Sequence, residues 1–291
     1  MRRAGVGVLV AALTGLAVGA CVQFNEDCSP LVDDPDGIVG YLDGDVNITK
    51  QVVRSGDNAI GQMVADAYRH AADAAPSGTA PADIGFENSG DIRNDWVCQT
   101  VNAVPRGPVR KKTLRQVLPF DDSVSLVTID VATLKSVLEH SVAGFAAAAA
   151  GAPATPPGSF LQMSGVTAEV DCSLPAQSAT DPGSRITRIV KQDAVGGGAA
   201  GAVLYDASLG QPASTSETVR IALNSFVLSG GDGYTMLQTL DGGAAQRFDL
   251  PGLNFQIVAQ YFQKTYPQDD PLPATPQTRW VFHGCAGTLQ P

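Results

Sequence analysis

Residues Thr218 to Leu223 alternate in the manner of a half-buried strand, and soon afterwards the chain runs into Gly230-Gly231-Asp232-Gly233. Adjacent glycines admit positive φ and let another group approach the bare backbone, so a strand has to end here on an open loop. Between strand and glycines lies Asn224-Ser-Phe-Val-Leu-Ser229, which puts an aromatic ring, Phe226, just upstream of a carboxylate, Asp232. A flat ring and an acceptor for hydroxyls suit a nucleoside, as stacking face and ribose partner. A glycine-rich hairpin turn with a core Phe is the other reading of the same residues.

Upstream, the apolar positions Ile60, Met63, Val64, Ala67, Tyr68 and Ala71 keep helical spacing, with Asp57 or Asn58 as N-cap. A short strand, Asp83–Phe86, opens onto Glu87-Asn-Ser-Gly-Asp-Ile-Arg93. A helix over 113–117 precedes Leu118-Pro-Phe-Asp-Asp122, and Ser123–Ile129 is a strand. Asp130 caps a helix with the stripe Leu134, Val137, Leu138 and Ser141. Strands follow over 160–163, 167–172, 185–191, 203–206 and 218–224, then a helix through Phe255, Val258, Ala259 and Phe262. Helices and strands alternate without a regular βα beat, which predicts an α/β (α+β-like) fold: a mixed β-sheet with packed helices.

The 291 residues divide by composition. Residues 1–20 have the form of a signal peptide, with Arg2 and Arg3, an apolar stretch from Val6 to Val18, and small residues after it. No later segment offers the ~18 apolar residues of a membrane helix. Val18-Gly19-Ala20-Cys21 has the form of a bacterial lipobox, which would lipidate Cys21 and hold an exported protein on a membrane of the cell envelope. An ordinary signal cut near Ala20 would leave Cys21 a plain thiol. Residues 21–46 are acidic and rich in Pro and Gly, as in a tether. One domain is expected over 47–285, interrupted by a loose Ala/Gly/Pro insertion at 144–158, with a tail at 286–291.

The formal net charge of −10 lacks the basic face that nucleic acid requires. Cys28, Cys98, Cys172 and Cys285 fit two disulfides in an exported chain; Cys28–Cys98 with Cys172–Cys285 is the expected pairing among three possible ones.

Seven segments resemble, in family order, the C-terminal domain of the secreted 5′-nucleotidase and UDP-sugar hydrolase family. They are Arg54–Ala67, Asp83–Arg93, Val117–Asp122, Leu134–Glu139, Phe160–Gly165, Pro182–Ile186 and Asn224–Tyr234. The resemblance implies that Phe120 and Phe226 clamp a base, that Asp232 accepts from ribose hydroxyls, that Arg54 and Arg93 reach a phosphate, and that Asn88 orients the ligand. Two positions depart from the family. Asp122 stands where an Asn is usual, and its carboxylate would favour guanine if it met the base edge; pointing to solvent or capping the strand at Ser123 is the alternative. Asp91 adds a negative charge near the expected phosphate.

The family's hydrolysis uses a metallophosphoesterase domain with two divalent metals held in His- and Asp-rich motifs. The three histidines here, His70, His140 and His283, lie in no such setting, and His70 and His140 read as cations near helix C-termini. The chain is thus expected to carry no metal, cofactor or catalytic residue, and to be inactive alone. Three readings remain: the substrate-binding half of a nucleotidase with a separate catalytic subunit, a stand-alone nucleoside-binding lipoprotein, or a scaffold with a decayed ligand site.

Overall fold

The computed structural model describes residues 32–73, 81–95, 100–147, 157–192, 200–241 and 247–288. Its strands are β1 (Ile38–Leu42), β2 (Val46–Asn47), β3 (Ile84–Asn88), β4 (Ala103–Val104), β5 (Gly107–Arg110), β6 (Ser123–Asp130), β7 (Leu161–Ser164), β8 (Val166–Asp171), β9 (Ile186–Gln192), β10 (Ala200–Asp206), β11 (Thr218–Asn224), β12 (Arg247–Leu253) and β13 (Trp280–His283). The helices are α1 (Lys50–Val53), α2 (Ala59–Asp73), α3 (Lys111–Val117), α4 (Val131–Val142), α5 (Ser225–Leu228), α6 (Gln238–Asp241) and α7 (Asn254–Thr265).

A five-stranded mixed sheet, ordered β12-β6-β11-β3-β7, forms the centre, with a four-stranded sheet β10-β9-β8-β13 beside it and two short ribbons, β1-β5 and β2-β4. Alternation along β6 explains why helices are needed on both faces of the centre. Val124 and Leu126 point into one core with α2 and α7, while Val127 and Ile129 point into a second core with α4. The caps are local: Asn58 Oδ1 accepts from the Ile60 and Gly61 amides at 3.1 and 3.2 Å, and Asp130 Oδ1 from Thr133 at 2.6 Å.

Pairing direction creates the functional end of the central sheet. β3 and β11 run parallel, with Leu223 beside Phe86, and β6 runs antiparallel to β11, with Asn224 opposite Val124. The loops leaving β3 and β11 and the segment entering β6 therefore meet at one edge.

Three boundaries differ from the sequence expectation. The tether does not reach residue 46: β1 pairs with β5, Tyr41 exchanges backbone hydrogen bonds with Tyr266 and Leu272, and Val39 and Leu42 are buried. Its Asp- and Gly-rich flanks hid a strand too short to announce itself by periodicity. The insertion is also shorter, because Phe145 is buried edge-on against Phe160 and Ala147 bridges Cys285. The tail is tied at its start, where the Ala286 amide donates to the Ala146 carbonyl at 2.9 Å. Cys172 and Cys285 are bonded, with Cα atoms 5.0 Å apart. The signal segment, Cys21 and the Cys28–Cys98 pair lie outside the described residues. No described helix is long and apolar enough to cross a membrane.

Candidate functional site

At the sheet edge where the three segments meet lies a cleft of about 430 Å³. Arg54, Asn88, Arg93, Phe120, Asp122, Phe226 and Asp232, the residues singled out in the sequence, all line it, with Asp91, Asp121, Gly90 and Gly158. Each arrives by a different route. Arg54 is the C-cap of α1, Asn88 ends β3, and Phe120 and Asp122 precede β6. Phe226 sits in α5, one turn long, which Asn224 caps by accepting from the Val227 amide at 2.9 Å. Phe226 is 40% exposed, which excludes the reading of a core Phe in a hairpin turn. Gly90 and Gly158 keep the cleft open, since a Cβ at Gly90 would come within 3.0 Å of both Asn88 Nδ2 and Asp232 Oδ2.

Two amides organise the floor. Asn88 Nδ2 donates to Asp232 Oδ2 at 2.9 Å and lies 3.3 Å from Asp91 Oδ1. Asn224 Nδ2 donates to Asn88 Oδ1 at 2.9 Å and reaches Asp91 Oδ2 and Glu87 Oε2 at 3.1 and 3.2 Å. An amide nitrogen has two hydrogens, so three acceptors around Asn224 outnumber its protons. Protonating a carboxyl relieves that shortage. Burial, followed by the Asp122 charge, pushes Asp91 up to about 7. Burial and the Asp91 charge hold Glu87 well above the usual carboxyl range, and Tyr68, fully buried beside it, is raised as well.

The cationic side is asymmetric. Arg54 is half-buried, and its Nε has no hydrogen-bond partner among the described residues. Burial, then the Arg93 charge, lowers its pKa, while Asp232 opposes that shift. Arg93 donates to the Gly90 carbonyl at 3.2 Å, lies 3.8 Å from Asp95, and sits 5.9 Å over the Phe120 ring. Asp121 is paired with Arg115.

Asp122 lines the cleft and is held there by its own chain. Its Oδ1 accepts from Ser225 Oγ at 3.0 Å, and its carboxylate also accepts a hydrogen bond from the Phe226 amide. A side chain so engaged fixes the turn that carries Phe226. Burial, then Asp121, raises its pKa and the two hydrogen bonds oppose that. His140 stands in the last turn of α4, where the sequence reading put it, and its Nε2 lies 2.9 Å from the Asp232 carbonyl oxygen. Sequence reasoning passed over Asn224, Glu87 and Tyr68. Asn224 alone left a signal, an N-cap residue type at a strand-to-helix junction.

No group of three or more His, Cys, Asp or Glu among the described residues could hold a metal ion. His70 packs on Tyr261, 5.3 Å between centroids, and His140 on Tyr234. The two metals of the family's hydrolysis find no fit among the described residues.

The family model described as the 5′-nucleotidase C-terminal domain matches residues 38–239. The chain is 27% identical over 229 residues to the 5′-nucleotidase of Bos taurus, covering 77% of this chain and 33% of that protein. Against the snake venom 5′-nucleotidase of Crotalus adamanteus it is 26% identical over 253 residues, covering 86% and 36%. The chain thus spans about a third of the length of these relatives. Among solved structures, the 5′-nucleotidase precursor of Thermus thermophilus shares the fold, with a TM-score of 0.62 at 21% identity over 87% of this chain and 40% of that one. With the match covering more than half of its residues, the chain belongs to the 5′-nucleotidase C-terminal domain family.

Proposed function

We propose that this chain binds a nucleoside or 5′-nucleotide in the cleft at the end of the central sheet, as the substrate-binding half of a nucleotide-hydrolysing pair. The base stacks on Phe120 and Phe226, the ribose hydroxyls donate to Asp232, Asn88 orients the ligand, and Arg54 and Arg93 face its phosphate. A separate metallophosphoesterase subunit supplies the two divalent metals and the hydrolytic step. Export and a lipid on Cys21 place the protein at the membrane surface of a bacterial envelope. The observation that supports this reading is convergence: residues drawn from positions 54 to 232 line one cleft, although nothing in their spacing along the chain requires it.

One observation favours the second reading, a stand-alone nucleoside binder. Asp122 and Asp232, joined by a partly ionised Asp91, balance the two arginines of the cleft, while Asp121 is paired with Arg115. A cleft so balanced suits an uncharged ligand better than a phosphate. Thermal-shift and calorimetric titrations with adenosine, guanosine, AMP and GMP, each with and without Mn²⁺, decide between them. AMP or GMP binding more tightly than its nucleoside supports the split nucleotidase; the reverse order supports the nucleoside binder. Binding of none of the four refutes both and leaves the scaffold. Phosphate release from AMP that copurifies with the isolated protein would overturn the assignment of hydrolysis to a partner.

A further inference from the structure

Asp232 has φ +51° and ψ +18°, a left-handed conformation that L-residues rarely adopt. A conformation of that kind persists only where the surroundings hold it. On the cleft side, Asn88 Nδ2 holds the carboxylate at 2.9 Å. On the opposite side the hold is His140, two residues before the end of α4, whose Nε2 lies 2.9 Å from the Asp232 carbonyl oxygen. A carbonyl only accepts, so this geometry assigns the ring proton to Nε2.

His140 is itself fixed. Its ring meets Tyr234 edge-on at 4.6 Å, and the Tyr234 hydroxyl is anchored on the Ser159 carbonyl. The fit leaves no spare room: a Cβ on Gly233, which has φ +89°, would lie 2.9 Å from both Nε2 and Cε1 of His140. His140 also lines a second cavity of about 770 Å³ with Gly233 and Thr235. The Asp232–Gly233 peptide therefore stands between two cavities, its carboxylate in one and its carbonyl gripped from the other.

We propose that His140 is a positioning residue for ribose recognition, gripping the back of the Asp232 loop so that the carboxylate presents its acceptors to the sugar hydroxyls. The inference rests on the nucleoside reading of the cleft. It assigns His140 no contact with the ligand. Its effect is confined to whatever Asp232 reads, while stacking of the base on Phe120 and Phe226 is untouched.

That separation gives the test. Adenosine and 2′,3′-dideoxyadenosine are titrated calorimetrically into the wild-type full chain, His140→Phe and His140→Gln. Phenylalanine keeps a ring against Tyr234 and removes the donor; glutamine returns a side-chain N–H. Wild type is expected to prefer adenosine by about tenfold, the worth of one well-placed hydrogen bond. In His140→Phe the preference falls towards unity while dideoxyadenosine affinity holds, and His140→Gln restores part of it. Should His140→Phe fail to fold, His140→Asn, whose amide stops short of the carbonyl, is expected to behave as the phenylalanine variant would. A preference unchanged in the donor-less variant overturns the role, as do equal losses for both ligands. A wild type that binds both compounds without preference removes ribose reading from Asp232 and His140 alike. A wild type that binds neither overturns the nucleoside reading of the cleft, and this inference with it.

Discussion

Replacing Asp91 by asparagine is expected to make the protein more stable than wild type at pH 8. Asp91 is buried beneath the cleft, where Asn88 and Asn224 offer too few protons for the surrounding oxygens. Its carboxyl titrates at about 7 in the folded chain against an ordinary value of 3.8. Folding therefore takes up a proton between those two values. The stabilising contribution is fully present below pH 3.8 and is lost as pH rises through about 7. Between pH 6 and pH 8 this one group removes about 1.4 kcal/mol, about tenfold in the folding equilibrium. Asparagine resembles the protonated acid, with one acceptor oxygen and N–H groups where the carboxyl carried its O–H. The variant should match wild type only below about pH 3.8, lead it already at pH 6, and widen that lead towards pH 8. Urea unfolding followed by Trp280 fluorescence measures this, because that indole is fully buried. Burial also raises Asp57, to about 6, a slope common to both proteins that cancels in the difference. Glu87, raised in part by the Asp91 charge, is relieved in the variant and adds to its lead at pH 8. Parallel pH profiles for the two proteins would refute the argument.

Phe226→Ala is expected to weaken nucleoside binding by about 1–3 kcal/mol with the melting temperature nearly unchanged, since the ring is 40% exposed; calorimetry and a thermal melt check the two halves. Asp122→Asn should weaken adenosine and guanosine alike, because the carboxylate is engaged with Ser225 and the Phe226 amide; a changed ratio between the purines would put it on the base edge instead. Cys172→Ser opens a link spanning 113 residues and is expected to cost about 3–5 kcal/mol, read as a lower urea midpoint that reductant reproduces in wild type.

Elements with a strong period or a clear cap were legible in the sequence. The stripe of α4 and the cap at Asp130 stand where the pattern puts them, as do β6, β11 and the Cys172–Cys285 bond. The residues of the cleft were nameable because ordered segments resemble a known family; their convergence follows from β3 and β11 lying parallel, which no local pattern encodes. β1, β2, β4, β5, β12 and β13 escaped notice for a different reason. β1, β2, β4, β5 and β13 are two to five residues long, too short for alternation to register, and β12 carries Pro251 and Gly252 inside it. The donor shortage around Asn224 was equally invisible, because it depends on Glu87 and Asp91 converging on one amide. The role of Asp122 turned on a hydroxyl 103 residues away.

The parallel pairing of β3 with β11 also orders events during biosynthesis. A ribosome delivers Arg54, Asn88, Asp91 and Phe120 well before it delivers β11, and Asn224 closes onto Glu87 across a sequence separation of 137 residues. Contacts of such long range form slowly, because the loop must be closed before any of them rewards the closure. Until then the acidic groups of the future floor stay hydrated and ionised at ordinary values, and they are dehydrated only as β11 slots in beside β3. Ligand competence should therefore appear late and in one step, which makes a bound nucleoside a reporter of finished folding as much as of the cleft itself.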